Sequence, residues 1–250
     1  GNRPTYEDET LWNYELNLRG RRSGVTFHAA AFYTDISNLQ VTADAGTCSS
    51  RVVFNVPKAH TMGLEFEISA SPARGLGFSI AGSMLEAKFD SSVTTTAGDV
   101  IAGIRDGNRL PSVPRFQISA NASYTFDVAD DAQAYIGASA QHVGSRYTQP
   151  SDQENTPRTF TFSPNALPRP YFGATGLEPT VVDLSLPSYN LVNLSAGIDW
   201  DNGFSLMAYV TNLFDENPLL SFDRERGGRA RLAFNVGQPR IIGLTARKRF

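Results

Sequence analysis

Three groups of arginines, each with polar or aromatic neighbours, are the side chains in this sequence that are best suited to chemistry. A guanidinium group donates several charge-assisted hydrogen bonds to carboxylate, phosphate or other anionic oxygens. The predicted chemistry is therefore the binding of an anionic ligand, with ordinary solvated charge as the alternative. The groups are Arg105, Asp106, Asn108 and Arg109; Arg146, Tyr147, Gln149, Arg158 and Tyr171; and Arg224, Arg226 and Arg229.

Catalytic chemistry has little support. The motifs H-E-x-x-H and G-x-S-x-G and the phosphate-binding loop do not occur. Glu65 and Glu67 would lie on one face of a strand with Cα atoms ~7 Å apart, near a glycosidase spacing, but any polar strand face produces such pairs. His28, His60 and His142 share no metal-ligand spacing. We therefore expect no enzyme, no cofactor and no metal site.

Composition narrows the class of protein. The hydrophobic fraction is 41% and the mean hydropathy is −0.25, and no apolar run reaches the ~20 residues of a spanning helix. Spanning strands escape this test because only every second residue meets lipid. The net charge of −3 argues against nucleic-acid binding. The single Cys48 excludes an internal disulfide framework.

The elements that must position the arginines are strands with a period of two. In the clearest case, residues 116–127, apolar and polar residues alternate throughout, which is typical of a strand with two different environments. Short turns near residues 22, 73, 130 and 202 alternate with long loops near residues 47, 100, 167 and 226. We predict about nine strands, over residues 12–19, 25–41, 62–70, 76–89, 116–127, 133–144, 189–200, 204–214 and 240–250.

This rhythm predicts an all-β fold, an antiparallel transmembrane β-barrel with its short turns in the periplasm and its long loops outside. A closed bacterial barrel has an even number of strands, and a free strand edge in lipid costs several kcal/mol for each unpaired backbone group. About nine strands therefore predict that residues 1–250 form a single incomplete domain, the C-terminal portion of a larger barrel. The chain opens without a recognisable signal peptide, which we interpret as processing or truncation.

Several segments resemble the C-terminal half of TonB-dependent outer-membrane receptors. The most specific one is Y-V-T-N-L-F-D-E at 209–216, which is similar to the aromatic-x-x-Asn-Leu-Phe-Asp element before that family's last extracellular loop. The last segment, 238–250, resembles the family's closing strand, and segments 12–16, 58–65 and 186–194 match as well. The residues that carry the two terminal motifs are Asn212, Leu213, Phe214, Asp215 and Phe250.

The resemblance implies a 22-stranded barrel with a plugged lumen, of which this chain would supply the last nine strands without the plug domain. It implies energy-coupled uptake of a scarce nutrient, such as a ferric siderophore or a glycan, through the bacterial outer membrane. TonB would act only through the missing N-terminal parts, and the barrel-assembly machinery would bind the C-terminal strand. Outer-membrane lipid and lipopolysaccharide would be the other partners, and the loop arginines would contact the nutrient or lipopolysaccharide.

Two other functions remain open at this point. A passive porin-like channel would have the same strand pattern, and only the absence of a plug and a coupling box upstream in the gene would favour it. A soluble all-β binding module would bury its apolar face in a sandwich. The loop of roughly 40 residues at 145–188 argues against this module.

Overall fold

Nine strands form one antiparallel sheet, here called the wall, in the computed structural model. The structure describes residues 6–44, 51–154, 156–160, 180–224 and 232–249. Each wall strand pairs with the next wall strand along the chain, so the predicted all-β wall of nine strands is confirmed. The strands are β1 (Thr10–Arg22), β2 (Val25–Asp44), β3 (Arg51–Ala73), β4 (Leu76–Phe89), β5 (Phe116–Ala129), β6 (Ala132–Val143), β7 (Tyr189–Trp200), β8 (Phe204–Thr211) and β9 (Ile241–Lys248).

The register keeps apolar residues on one face of the wall and polar residues on the other. On the apolar face Phe78 lies opposite Ala122, which lies opposite Ala138. Outward apolar side chains are largely exposed, with 76% exposure at Leu16 and 79% at Ile242. Soluble domains rarely expose so much contiguous apolar surface, whereas a wall that faces lipid must do so. A polar row crosses seven strands on the other face: Arg21, Thr26, Ser69, Ser79, Asn121, Ser139 and Asn193.

Several strand ends differ from the sequence prediction. β2 continues to Asp44 and β3 already begins at Arg51, so both strands extend well past the ~9–11 residues that span a membrane. β8 ends at Thr211 rather than at residue 214, because Asn212 turns the chain with φ of 51°. β9 covers Ile241–Lys248, inside the predicted 240–250. The alternation of apolar and polar residues continues past the ends of these strands, so the sequence pattern cannot locate the ends.

The main cluster of buried apolar residues lies at the long-loop end of the wall. There the projecting β2–β3 hairpin is covered by the loop between β4 and β5. The wall itself is one layer thick, so burial requires the loops to fold onto the strands. The cluster comprises Ile36, Val41, Val56, Ala59, Phe89 and Ile104, with Leu39, Phe54, Val93 and Leu110 packed against it.

Short elements connect the remaining loops at the same end. A 3₁₀ turn covers Pro150–Gln153. Within the described ranges, no helix is long and apolar enough to cross a bilayer. Three small antiparallel pairs join Arg146–Tyr147 with Ser185–Leu186, Arg158–Phe160 with Thr180–Val182, and Leu219–Arg224 with Leu232–Val236.

Candidate functional site

The candidate site is the layer of loops at the long-loop end, where segments 90–115 and 144–160 meet. Gly103 has φ of +71°, and a Cβ atom there would lie 2.4 Å from the Cα of Ser151. Any larger residue would push the two backbones apart. Gln153 adds a pair of hydrogen bonds, since its side chain accepts from the N–H of Arg109 at 3.0 Å and donates to the carbonyl of Arg109 at 2.8 Å. The two loops therefore form one unit.

Arg105 joins this unit through a bidentate ion pair with Glu154. Nε and Nη2 of Arg105 donate to the two carboxylate oxygens at 2.9 and 3.0 Å, and Asn108 donates to the same carboxylate at 2.6 Å. The hydrogen bonds from Arg105 and then Asn108 lower the pKa of Glu154, while Glu154 raises the pKa of Arg105. The Arg105 side chain remains 51% exposed. Asp106 beside it is exposed too, and its backbone N–H donates to Ser92 Oγ at 2.9 Å.

We expect acid or the substitution Glu154→Gln to loosen this contact. The folded-state pKa of Glu154 lies below its ordinary value of 4.5, so the stabilisation is complete above that value and is lost as the pH falls through the lowered pKa. Amide exchange over residues 103–109 should rise roughly two- to fivefold in E154Q at pH 7. Hydrogen exchange on the purified protein measures this, with D106N as the matched control. Equal protection in E154Q and D106N would contradict the assignment.

Arg109 binds backbone rather than a carboxylate. Its Nη2 donates to the carbonyls of Val113 at 2.7 Å and Ser145 at 2.9 Å. Its guanidinium lies 5.8 Å from the centroid of the Tyr147 ring, within cation–π range. Burial, followed by the nearby charge of Arg115, lowers the pKa of Arg109. Arg109 thus ties the start of β5 to the end of β6.

Arg146 is buried, with 8% exposure. Its Nη2 donates to the carbonyls of Leu219 at 3.1 Å and Leu220 at 3.2 Å, and its guanidinium lies 5.4 Å from the Tyr189 ring centroid. Nη1 has no hydrogen-bond partner among the residues that the structure describes. Arg146 therefore connects the loop after β6 to the loop after β8.

Other predicted residues lie outside the described part. The structure does not describe Tyr171, Arg226, Arg229, Phe250 or Cys48. The backbone of Arg224 ends a short strand, but its side chain is not described. The structure thus brings Arg109 into contact with Tyr147 and Arg105 into contact with Glu154, while Arg146 contacts a different loop.

Asn212 of the family motif is a buried hub between β8 and β9. It is 5% exposed and has φ of 51°, a backbone region that asparagine tolerates better than most residues. Its Nδ2 donates to the carbonyls of Glu216 at 2.8 Å and Gln238 at 3.0 Å, and its Oδ1 accepts from the N–H of Glu216 at 2.9 Å. Its own N–H donates to Oδ1 of Asn193 at 2.9 Å. One side chain thus closes both ends of the loop.

The rest of the motif fixes the same junction. The N–H of Leu213 donates to the carbonyl of Val192 at 2.8 Å. Oδ1 of Asp215 accepts from the N–H of Arg240 at 2.9 Å, immediately before β9. Phe214 is 69% exposed. The motif therefore positions strands, and its residues do not line the loop unit formed by segments 90–115 and 144–160.

The polar face holds the two glutamates that the sequence singled out. Glu65 and Glu67 line a cavity of about 370 Å³ together with His28, Gln117 and Gln141. The neighbouring groups are amides, hydroxyls and an imidazole, so the two carboxylates belong to a general polar surface. Each histidine contacts the side-chain oxygen of an Asn or Asp. His28 Nε2 lies 2.9 Å from Asn17 Oδ1, and His60 Nδ1 lies 2.7 Å from Asp90 Oδ1. His142 Nδ1 lies 2.8 Å from Asn190 Oδ1. The described ranges contain no group of three or more potential metal ligands.

Sequence reasoning missed Glu154, Gln153 and Asn193. Glu154 and Arg105 are separated by 49 residues, and no local pattern connects an acid to an arginine at that distance. Asn193 lies on the polar face, and its bond to Asn212 depends on the offset between β7 and β8. Knowledge of the register between these two strands would have indicated the contact between Asn193 and Asn212.

Comparisons with known proteins agree with this geometry. The family model for the TonB-dependent receptor-like β-barrel matches residues 1–213. The pesticin receptors of Yersinia enterocolitica and Yersinia pestis are each 29% identical over 115 residues, which is 46% of this chain and 16% of theirs.

Solved structures show the same fold. The ferric yersiniabactin uptake receptor FyuA from Yersinia pestis matches 97% of this chain and 30% of its own, with a TM-score of 0.66 and 22% identity. The ferric-catecholate import receptor Fiu from E. coli K12 matches 98% of this chain and 28% of its own, with a TM-score of 0.62 and 18% identity. This chain therefore spans less than a third of the length of these receptors. Since the family model covers most of its residues, the chain belongs to the TonB-dependent receptor β-barrel family of the bacterial outer membrane.

Proposed function

We propose that this chain forms part of the wall and the extracellular loops of a receptor that takes up a ferric siderophore by energy-coupled transport. The observation that carries the proposal is the family match over residues 1–213 on a wall with one apolar and one polar face. Relatives named for ferric yersiniabactin and ferric catecholate support the ligand class. On this proposal the remaining strands, the plug and the TonB contact belong to the rest of the receptor, and the barrel-assembly machinery binds the C-terminal strand.

Exposure divides the loop arginines into two roles within this proposal. Arg105 and Asp106 are exposed at the outer surface of the loop unit, so they would contact the ligand. Arg109 and Arg146 donate hydrogen bonds to backbone carbonyls and would therefore hold the loop surface in shape. The half-buried Tyr147 would contribute to both roles. We also propose ligand contacts for three residues on the basis of their loop positions alone: Tyr171, Arg224 and Arg226.

The test is uptake of radioactive iron by cells that express the full-length receptor as their sole ferric-siderophore route. Uptake of a ferric siderophore that saturates with concentration and stops without TonB would support the proposal. Uptake that is linear in concentration and insensitive to TonB would establish a passive channel instead. Saturable, TonB-dependent uptake of a glycan without iron uptake would show that the ligand is a glycan rather than a ferric siderophore.

Arg105→Ala tests the ligand contact. We expect about a tenfold rise in the concentration for half-maximal uptake, because one charge-assisted interaction is lost. Arg74→Ala, at an exposed periplasmic turn, is the matched control and should transport normally. Glu154→Gln separates the roles, since it releases Arg105 without removing its charge. Unchanged uptake in R105A would exclude Arg105 from the ligand site.

A further inference from the structure

His60 lies on β3, beside the point where the loop between β4 and β5 leaves the wall. Its side chain is 14% exposed, and its ring stacks on that of Tyr33 on β2, with centroids 6.0 Å apart and an interplanar angle of 18°. Nδ1 lies 2.7 and 2.8 Å from the two carboxylate oxygens of Asp90, the first residue after β4. Nε2 lies 3.7 Å from Oε1 of Glu86. Both ring nitrogens therefore face carboxylates.

This arrangement suits the charged imidazolium better than the neutral ring. An imidazolium donates from both nitrogens, whereas a neutral ring donates from one nitrogen and carries a lone pair on the other. Because Nδ1 donates to Asp90, the neutral ring turns the lone pair of Nε2 toward the carboxylate of Glu86, which is also an acceptor. Protonation of Nε2 replaces this repulsion with a second ion pair. The contact with Glu86 thus changes from repulsive to attractive when His60 gains a proton.

The other two histidines of the chain face neutral amides. Nε2 of His28 contacts Asn17, and Nδ1 of His142 contacts Asn190. The amide oxygen accepts from a ring N–H, and the amide nitrogen can donate to a ring lone pair, so these contacts are compatible with either protonation state. Among the histidines, which the structure describes in full, His60 is the one that forms ion pairs with carboxylates.

Five charged side chains surround His60, three acids and two lysines. Asp35 on β2 and Lys88 on β4 lie directly opposite it in the register. The Nζ of Lys88 lies 2.8 Å from Oε2 of Glu86, so each oxygen of that carboxylate faces a different basic group. Three acids and two lysines leave one negative charge, which the imidazolium neutralises. The five are Asp35, Lys58, Glu86, Lys88 and Asp90.

The contact with His60 lies at the root of the loop between β4 and β5. The N–H of Asp90 donates to the carbonyl of Lys58 on β3 at 2.9 Å, so backbone and side chain both tie the start of the loop to β3. The loop also returns to this point, since the N–H of Phe89 donates to the carbonyl of Asn108 at 2.9 Å. A change at His60 therefore affects the place where the two ends of the loop meet.

We propose that His60, together with Asp90 and Glu86, is a pH-sensitive latch for this loop. The imidazolium holds the root of the loop on β3, and the neutral ring releases part of that hold. Histidine is the side chain that ordinarily titrates between pH 5 and 8, whereas carboxylates and lysines ordinarily keep their charge there. Mild acid therefore fastens the loop that carries Arg105, and a neutral or alkaline medium loosens it. This range lies above the acid range in which the ion pair between Arg105 and Glu154 is lost. The latch rests on these contacts alone, whatever ligand the receptor takes up.

Hydrogen exchange on the purified protein at about pH 5.5 and about pH 8, corrected for the intrinsic pH dependence of exchange, tests the latch. We expect the protection of amides in segments 90–93 and 107–109 to fall about threefold from the lower to the higher pH. In H60Q, whose side chain does not titrate, protection should be equal at both pH values. H142Q, which removes the histidine that faces Asn190, is the matched control and should behave as the wild type does. Wild-type protection without pH dependence, or an H60Q protein that keeps the dependence, would overturn the proposal.

A second measurement needs no variant and keeps the test valid if H60Q does not fold. The same exchange on the wild-type protein is followed at low salt and at about 1 M salt, where ions screen partly exposed charges strongly. If the ion pairs of His60 cause the pH effect, the effect should shrink at least twofold at high salt. A pH effect of equal size at both salt concentrations would rule out an ionic latch.

Discussion

Asn212→Ala should destabilise the junction between β8 and β9 by about 3 kcal/mol. The substitution removes three side-chain hydrogen bonds of about 1 kcal/mol each and leaves the backbone groups of Glu216 and Gln238 without these partners. It also forces alanine into positive φ, at roughly 1 kcal/mol more. Part of this cost will be recovered by water, because the loop lies near solvent. Local exchange of the amides of Leu213 and Glu216 should therefore speed up by about 100-fold.

Two further variants make the Asn212 result interpretable. Asn212→Gly keeps the backbone conformation but loses the side-chain bonds, so its effect should be about 1 kcal/mol smaller than that of alanine. Asn217→Ala, in the same loop, is the matched control, because among the described residues its side chain makes a single long contact of 3.5 Å. Hydrogen exchange on the purified protein compares all three variants. If N212A behaved like N217A, Asn212 would not be the hub of this junction.

The same residue shows how far the sequence could go. The motif around Asn212 identified the family, and alternation identified all nine strands, because side chains on a strand meet lipid and lumen in turn. Neither the motif nor the alternation explains why residue 212 is an asparagine. Its partner Gln238 lies 26 residues away, and the contact exists only because the loop returns to the point where β8 ended.

Loop contacts were beyond the sequence for a related reason. Arg105, Arg109 and Arg146 lie between wall strands, but their partners are set by how the loops stack. Gly103 lets its loop approach Ser151 closely, and the same stacking brings Arg105 within reach of Glu154. The block of four alanines on β5 and β6 was also out of reach, since single alanines become neighbours only when the register aligns them.

Arg146→Ala should release the loops after β6 and β8 from each other. The guanidinium is buried, donates to two carbonyls and stacks on Tyr189, so its removal leaves a cavity and two unpaired acceptors. Losses of about 2–4 kcal/mol are usual for such a change. Exchange of the amides around Tyr147 and Phe222 should rise by roughly 30- to 100-fold. Arg115→Ala, at an exposed site in the neighbouring loop, should leave these amides unchanged.

The Arg146 variants also separate a positioning role from a ligand contact. Arg146→Lys keeps the charge but loses the planar fork that serves two carbonyls, so a positioning role predicts loosened loops and weakened uptake in both R146K and R146A. A ligand contact predicts the opposite: R146K would keep uptake near that of the wild type, and R146A would weaken uptake without faster exchange. Since Nη2 is committed to Leu219 and Leu220 and the side chain is 8% exposed, we expect the first result. Measuring iron uptake and hydrogen exchange on the same three proteins decides between them.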